Sequence, residues 1–112
     1  MRLQMLHKQM DAFRLCLDEQ RFYDAHEALE EIWFARRFED DDEMKLLKGL
    51  INAAVSFELY KRNRPLQSKK VWKNYLKYRP LLRKINPTSL NKYHQLCRHI
   101  ETIHNNKHDL LK

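Results

Sequence analysis

His26 and Glu30 lie four residues apart, so on a helix both side chains project from one face and can share a proton or a divalent metal ion. With Glu27 they form the string His-Glu-x-x-Glu. That is one substitution from the HExxH pattern, in which two histidines hold zinc and the glutamate is the general base. Because a carboxylate replaces the second imidazole, a further ligand would have to come from Glu58 or from a histidine among His94, His99 and His104. His26, Glu27, Glu30 and Glu58 are therefore the candidate catalytic residues, and His26 and Glu30 the candidate metal ligands. The competing reading is a buried polar pair in which Glu30 holds the imidazole and Trp33 packs beside it, because buried polar groups need partners whatever their role.

These residues need a helix to hold them, and the apolar spacing supplies one. Phe22, His26, Leu29 and Trp33 recur at steps of 4, 3 and 4, which predicts a helix over about Arg21 to Arg36. Before it, Leu3, Leu6, Met10, Phe13 and Leu17 mark a first helix to about Glu19. The acids of Glu39-Asp40-Asp41-Asp42-Glu43 suit the start of a third helix, where they cap free N–H groups and complement the dipole, and Asp40 with Glu43 has capping-box spacing. From Met44 to about Arg62 the chain is apolar on most sides, the pattern of a central helix, with Asn52 and Glu58 as polar exceptions. Gly49 inside it lowers helix propensity by about 1 kcal/mol and so predicts a close helix crossing.

Asn63-Arg64-Pro65 is a turn into a fourth helix, with Val71, Tyr75 and Tyr78 on one face and Lys69, Lys70, Lys73 and Lys77 on the other. Pro80 ends or kinks it. A fifth helix carries the stripe Leu90, Tyr93, Cys97 and Ile100, and residues 106–112 are expected to fray. With one glycine and three prolines in 112 residues, turns every few positions are ruled out, so the fold class is all-α, a single-domain bundle of about five helices over residues 1–112.

The chain has 22 Lys+Arg against 15 Asp+Glu, a formal +7. Residues 1–60 hold 8 basic and 13 acidic side chains, while residues 61–112 hold 14 and 2, so a net −5 precedes a net +12. The four lysines of the fourth helix, flanked by Arg62, Arg64, Arg79, Arg83 and Lys84, suit phosphate contacts, with Trp72 or Tyr78 placed to stack on a base. No nucleic-acid motif accompanies them, and a solvated lysine face is the plainer account. Two further function classes stay open: an enzyme at His26 and Glu30, and a homo-oligomer joined through acidic and basic surfaces. No run of about 18 apolar residues spans a membrane. Cys16 and Cys97 form no CxxC pair, and the first residues lack a cleavage-site pattern, so a reduced, cytoplasmic protein is expected.

Phe22-Tyr23-Asp24-Ala25-His26-Glu27 with Glu30 and Trp33, then Gly49-Leu50-Ile51-Asn52 with Ala54, then Asn63, give the chain its one family resemblance. Over about residues 10–80 it resembles the helical proteins of bacteria and archaea catalogued as domain of unknown function 309. It departs from them in Asn52, where glutamine is usual, and in Gln67-Ser68, where a Gly-Ala pair is common at the start of the fourth helix. The resemblance implies a small helical bundle in which His26, Glu30 and Trp33 meet the third helix near Asn52, which makes Trp33 and Asn52 candidate binding residues. It implies no particular activity. The sequence therefore predicts a binding or interaction module whose lysine face, Lys69, Lys70, Lys73 and Lys77, takes an anionic partner, nucleic acid or acidic protein.

Overall fold

The computed structural model describes residues 2–39 and 41–111. Five α-helices follow one another: α1 (Arg2–Asp18), α2 (Phe22–Ala35), α3 (Asp42–Lys61), α4 (Pro65–Tyr78) and α5 (Leu90–Asn105). No strand occurs among the described residues, and no helix is long and apolar enough to cross a membrane. The side chain of Leu3 and the whole of Asp40, both used in the sequence reading, lie outside the described residues. The cap of α3 is Asp41, whose carboxylate accepts the Met44 N–H at 2.8 Å.

Two helix ends close without glycine. Arg21 N–H reaches Cys16 O at 2.8 Å and Gln20 N–H reaches Leu17 O at 3.1 Å, while Arg64 and Asn63 repeat this pairing onto Leu59 and Tyr60. This is the Schellman arrangement, with its left-handed residue at Gln20 (φ 58°) and at Asn63 (φ 63°). The single glycine is used elsewhere, at a close helix crossing where a side chain would crowd the neighbour. A Cβ on Gly49 would sit 3.0 Å from the Cβ of Tyr78 and 3.8 Å from the Cα of Tyr75, so the small residue sets how closely α4 lies on α3.

α3 is the central helix, as its nearly all-round apolar pattern implies. It packs against α2 on one flank and α4 on the other, and its residues Leu46, Leu47, Leu50, Ala53 and Ala54 are fully buried. α1 packs on α2, and α5 closes the bundle. Polar ties fasten that last helix. Tyr93 donates to Glu43 at 2.7 Å, Tyr75 donates to Glu101 at 2.7 Å, and Arg79 reaches the same carboxylate at 2.8 Å. Burial pushes both phenols well above their usual range. The Glu101 carboxyl is also raised by burial, but hydrogen bonds from Arg79 and Tyr75 outweigh that and hold it below its ordinary value.

Two expectations need correction. The inner stripe of α4 is Ser68, Trp72 and Tyr75, with Val71 and Tyr78 only half-buried. Ser68 belongs to it because its hydroxyl donates to Ser56 O at 2.7 Å, so a polar residue is satisfied inside the core. The tail expected to fray is instead a short 3-10 turn, Lys107–Leu111, seated on α3 with Leu110 buried. Pro80 lies in a second 3-10 turn, Arg79–Arg83, directly after α4.

Candidate functional site

His26 sits on α2 half-buried, and its Nε2 is paired with the Glu30 carboxylate one turn later. A ring nitrogen facing a carboxylate donates to it, which leaves Nδ1 as the ring's other polar atom. Nδ1 is buried and has no hydrogen-bond partner among the described residues. A metal-bound or relay histidine needs its second nitrogen held by another group, so the ring lacks half of that arrangement. Tyr23 lies against it, with ring centroids 5.7 Å apart. Glu27 faces solvent beside Tyr23 and raises the Tyr23 hydroxyl by hydrogen bonding to it.

The structure does not bring the other candidates to this pair. Glu58 is bonded to Arg62, the residue that caps the end of α3. His99 pairs with Asp18 at 2.6 Å, and His94 is exposed. The His104 ring stacks on Trp72 at 3.9 Å, where burial and then Lys107 lower its pKa. Among the described residues no group of three His, Cys, Asp or Glu side chains is placed to hold a metal ion. Trp33 does meet α3, under the Lys48 ammonium at 5.6 Å. Asn52 donates to Lys48 O at 2.7 Å and accepts from Asn74 at 3.2 Å, so it joins α3 to α4 and is bonded to neither His26 nor Glu30.

A cavity of about 520 Å³ opens at another place, where the ends of α1, α2 and α3 meet the segment before α5. Leu6, Ile32 and Ala35 form its apolar wall, and Arg36, Glu43 and Ser89 its polar one. Neither His26 nor Glu30 lines it. Its residues come from four separate segments, so no motif in the sequence announces it. Arg36 is held there by Glu39 at 3.1 Å and Asp41 at 3.3 Å, and Ser89 by His7 at 2.7 Å.

On α4 the basic side chains are placed as the spacing implies: Lys69, Lys70, Lys73 and Lys77 are all exposed. No carboxylate among the described residues is paired with any of them, whereas the flanking Arg62 and Arg79 are bonded to Glu58 and Glu101. The expected stacking residue is absent from this face. Trp72 is only 9% exposed, lies 4.6 Å from the Tyr75 ring and is covered by His104, because it occupies the inner stripe of the helix. Tyr78 is half-buried over Gly49. Both thiols are free and buried, and burial raises their pKa values, so neither Cys16 nor Cys97 is poised as a nucleophile.

A feature that periodicity had not singled out lies on the outside of α2. Tyr23, Glu27, Glu30 and Phe34 step by 4, 3 and 4, a helical stripe turned to solvent. The signal was available in the spacing, but its apolar members flank charges and so resemble ordinary surface.

Neither the curated proteins nor the solved structures contain a significant match to the chain. A family model does match, over residues 10–71, from the middle of α1 to the middle of α4. Spanning more than half of the sequence, with the whole of α2 and α3 and parts of α1 and α4, that match makes the chain a member of the family described as Domain of unknown function (DUF309).

Proposed function

We propose that the chain is a small helical binding module that takes an anionic partner on the outer face of α4. The observation that carries this reading is the set Lys69, Lys70, Lys73 and Lys77, exposed together within one helical arc and paired with no carboxylate among the described residues. Like charges held close without counter-charges keep a positive potential that attracts anions and speeds their association. The helix supporting them is rigid, because its inner face is locked by Trp72, Tyr75 and the Gly49 crossing.

With Trp72 in the core, the face offers cations and no exposed aromatic platform, so contact would be made to charge and not to bases. Binding to a single-stranded RNA oligonucleotide, read by fluorescence anisotropy, should then fall with salt at a slope of about −3 for four released counterions. The triple variant K69E/K73E/K77E should lose it. Absence of binding at low salt, or equal binding by that variant, overturns the reading.

A further inference from the structure

We infer that the lysine face of α4 docks onto the outer face of α2 of a second copy of this chain. This rests on the reading of α4 as a docking surface and names the partner. The two faces match position by position. On α2 the outward stripe reads Tyr23, Glu27, Glu30, Phe34, and on α4 it reads Leu66, Lys69, Lys73, Leu76. Each is an apolar residue, two like charges and an apolar residue, and the charges are opposite in sign.

Their dimensions agree as well. Both helices have 14 residues, and at 1.5 Å per residue the stripes run about 16 Å and about 15 Å. The apolar ends are all more than half exposed: Tyr23 59%, Phe34 55%, Leu66 79% and Leu76 52%. Asp24 and Glu31 on α2, and Lys70 and Lys77 on α4, widen the two charged bands. On α2, Arg21 bonds to Asp24, His26 pairs with Glu30 and the Arg37 guanidinium lies 3.7 Å over the Phe34 ring, and the four carboxylates still outnumber these cations. Pairing the faces would cover the apolar ends and set unlike charges opposite each other, which fixes register and excludes like-charged surfaces.

The two faces cannot satisfy each other within one molecule. α3 packs between α2 and α4, and each of those helices turns its charged stripe away from it. The match is therefore made between copies, with α4 of one on α2 of the next. Such a contact uses different surfaces on the two partners and closes into a ring or continues as a chain. It also accounts for the division of charge between the two halves of the sequence, since one half carries each side of the contact.

The test is a charge swap followed by analytical ultracentrifugation. At about 10 mM salt, where charges act over about 30 Å, the wild-type chain should sediment above the monomer mass and return to monomer at about 1 M. K69E/K73E alone and E27K/E30K alone should each stay monomeric, because the central stripes of both helices then carry one sign. Mixed in equal amounts they should associate again. L66Q/L76Q, which leaves every charge and the fold untouched, should weaken association about tenfold. A wild-type chain that is monomeric at every salt and concentration overturns the inference, as does association that survives both swaps. If that monomer still binds RNA through Lys69 and Lys73, only the choice of partner has failed. If it binds neither RNA nor itself, the reading of α4 as a docking surface has failed too.

Discussion

The charged groups of α2 and α4 are treated in opposite ways by the rest of the chain. Around α2, Arg21 bonds to Glu19 and Asp24, His26 pairs with Glu30, and Glu31 accepts from Gln9 at 2.7 Å. On α4 the four lysines have no such partners among the described residues. An ion pair within the chain orders its side chains and weakens their field, so Asp24 and Glu30 are partly committed to local structure even though the α2 face keeps an excess of carboxylates. Unpaired lysines on a rigid helix keep their field, which is available to something outside the molecule. A motif rich in chemical residues is thus the quieter region, and a plain row of lysines the more exposed one.

The sharpest way to break this contrast is at the seat of α4. Gly49→Val should cost about 3 kcal/mol, because a Cβ there already stands 3.0 Å from that of Tyr78 and the two added branches would crowd the crossing further. In a thermal melt that is a fall of the order of 10 °C. Next in size is K69E/K73E/K77E, which should lower RNA affinity about a hundredfold, near 2.7 kcal/mol, while the melting temperature hardly moves. If the melt moved as much as the affinity, the lysines would be structural and the contrast would vanish.

Smaller effects come from the polar ties under the same helix. Tyr75→Phe leaves Glu101 with Arg79 alone and should cost about 1.5 kcal/mol, measured by urea unfolding. The pH dependence follows from Glu101 and His104, whose pKa values are both lowered in the fold. A depressed pKa means that the unfolded chain binds more protons, so stability is lost as pH falls. The loss should begin below 6.5 through His104 and deepen below 4.5 through Glu101. His104→Phe, which keeps a ring on Trp72, should remove the first step in a pH series of urea midpoints.

The smallest effect expected is His26→Ala. A partly exposed pair within one helix contributes less than about 1 kcal/mol, so stability should drop slightly and RNA binding not at all. A large change in binding from this variant would move the functional region from α4 to α2.

Much of the fold was legible because it depends on spacing. The stripe of α1 from Leu6 to Leu17, that of α5, the central position of α3 and the reason for Gly49 follow from which residues share a helical face, whereas α2 buries Phe22, Ala25, Leu29 and Ile32 and leaves His26 and Trp33 half-buried. The inner stripe of α4 shares only Tyr75 with the face that spacing predicts, since serine counts as polar in any pattern and Ser68 is buried with its hydroxyl on Ser56 O. The end of the chain was misread for a related reason. Leu110 is one apolar residue in a polar tail, and only the surface of α3 gives it somewhere to go.

The candidate site divides along the same line. Composition and helical period alone determined that His26 and Glu30 would pair and that Lys69, Lys70, Lys73 and Lys77 would share an exposed arc, because neighbours at i and i+4 are fixed by the helix itself. Only the tertiary structure decided that Tyr93 donates to Glu43, that Trp72 is buried under His104, and that the cavity opens beside Arg36. Those outcomes depend on how helices far apart in sequence are rotated against one another. That rotation is set by the packing of whole faces, which no local spacing encodes.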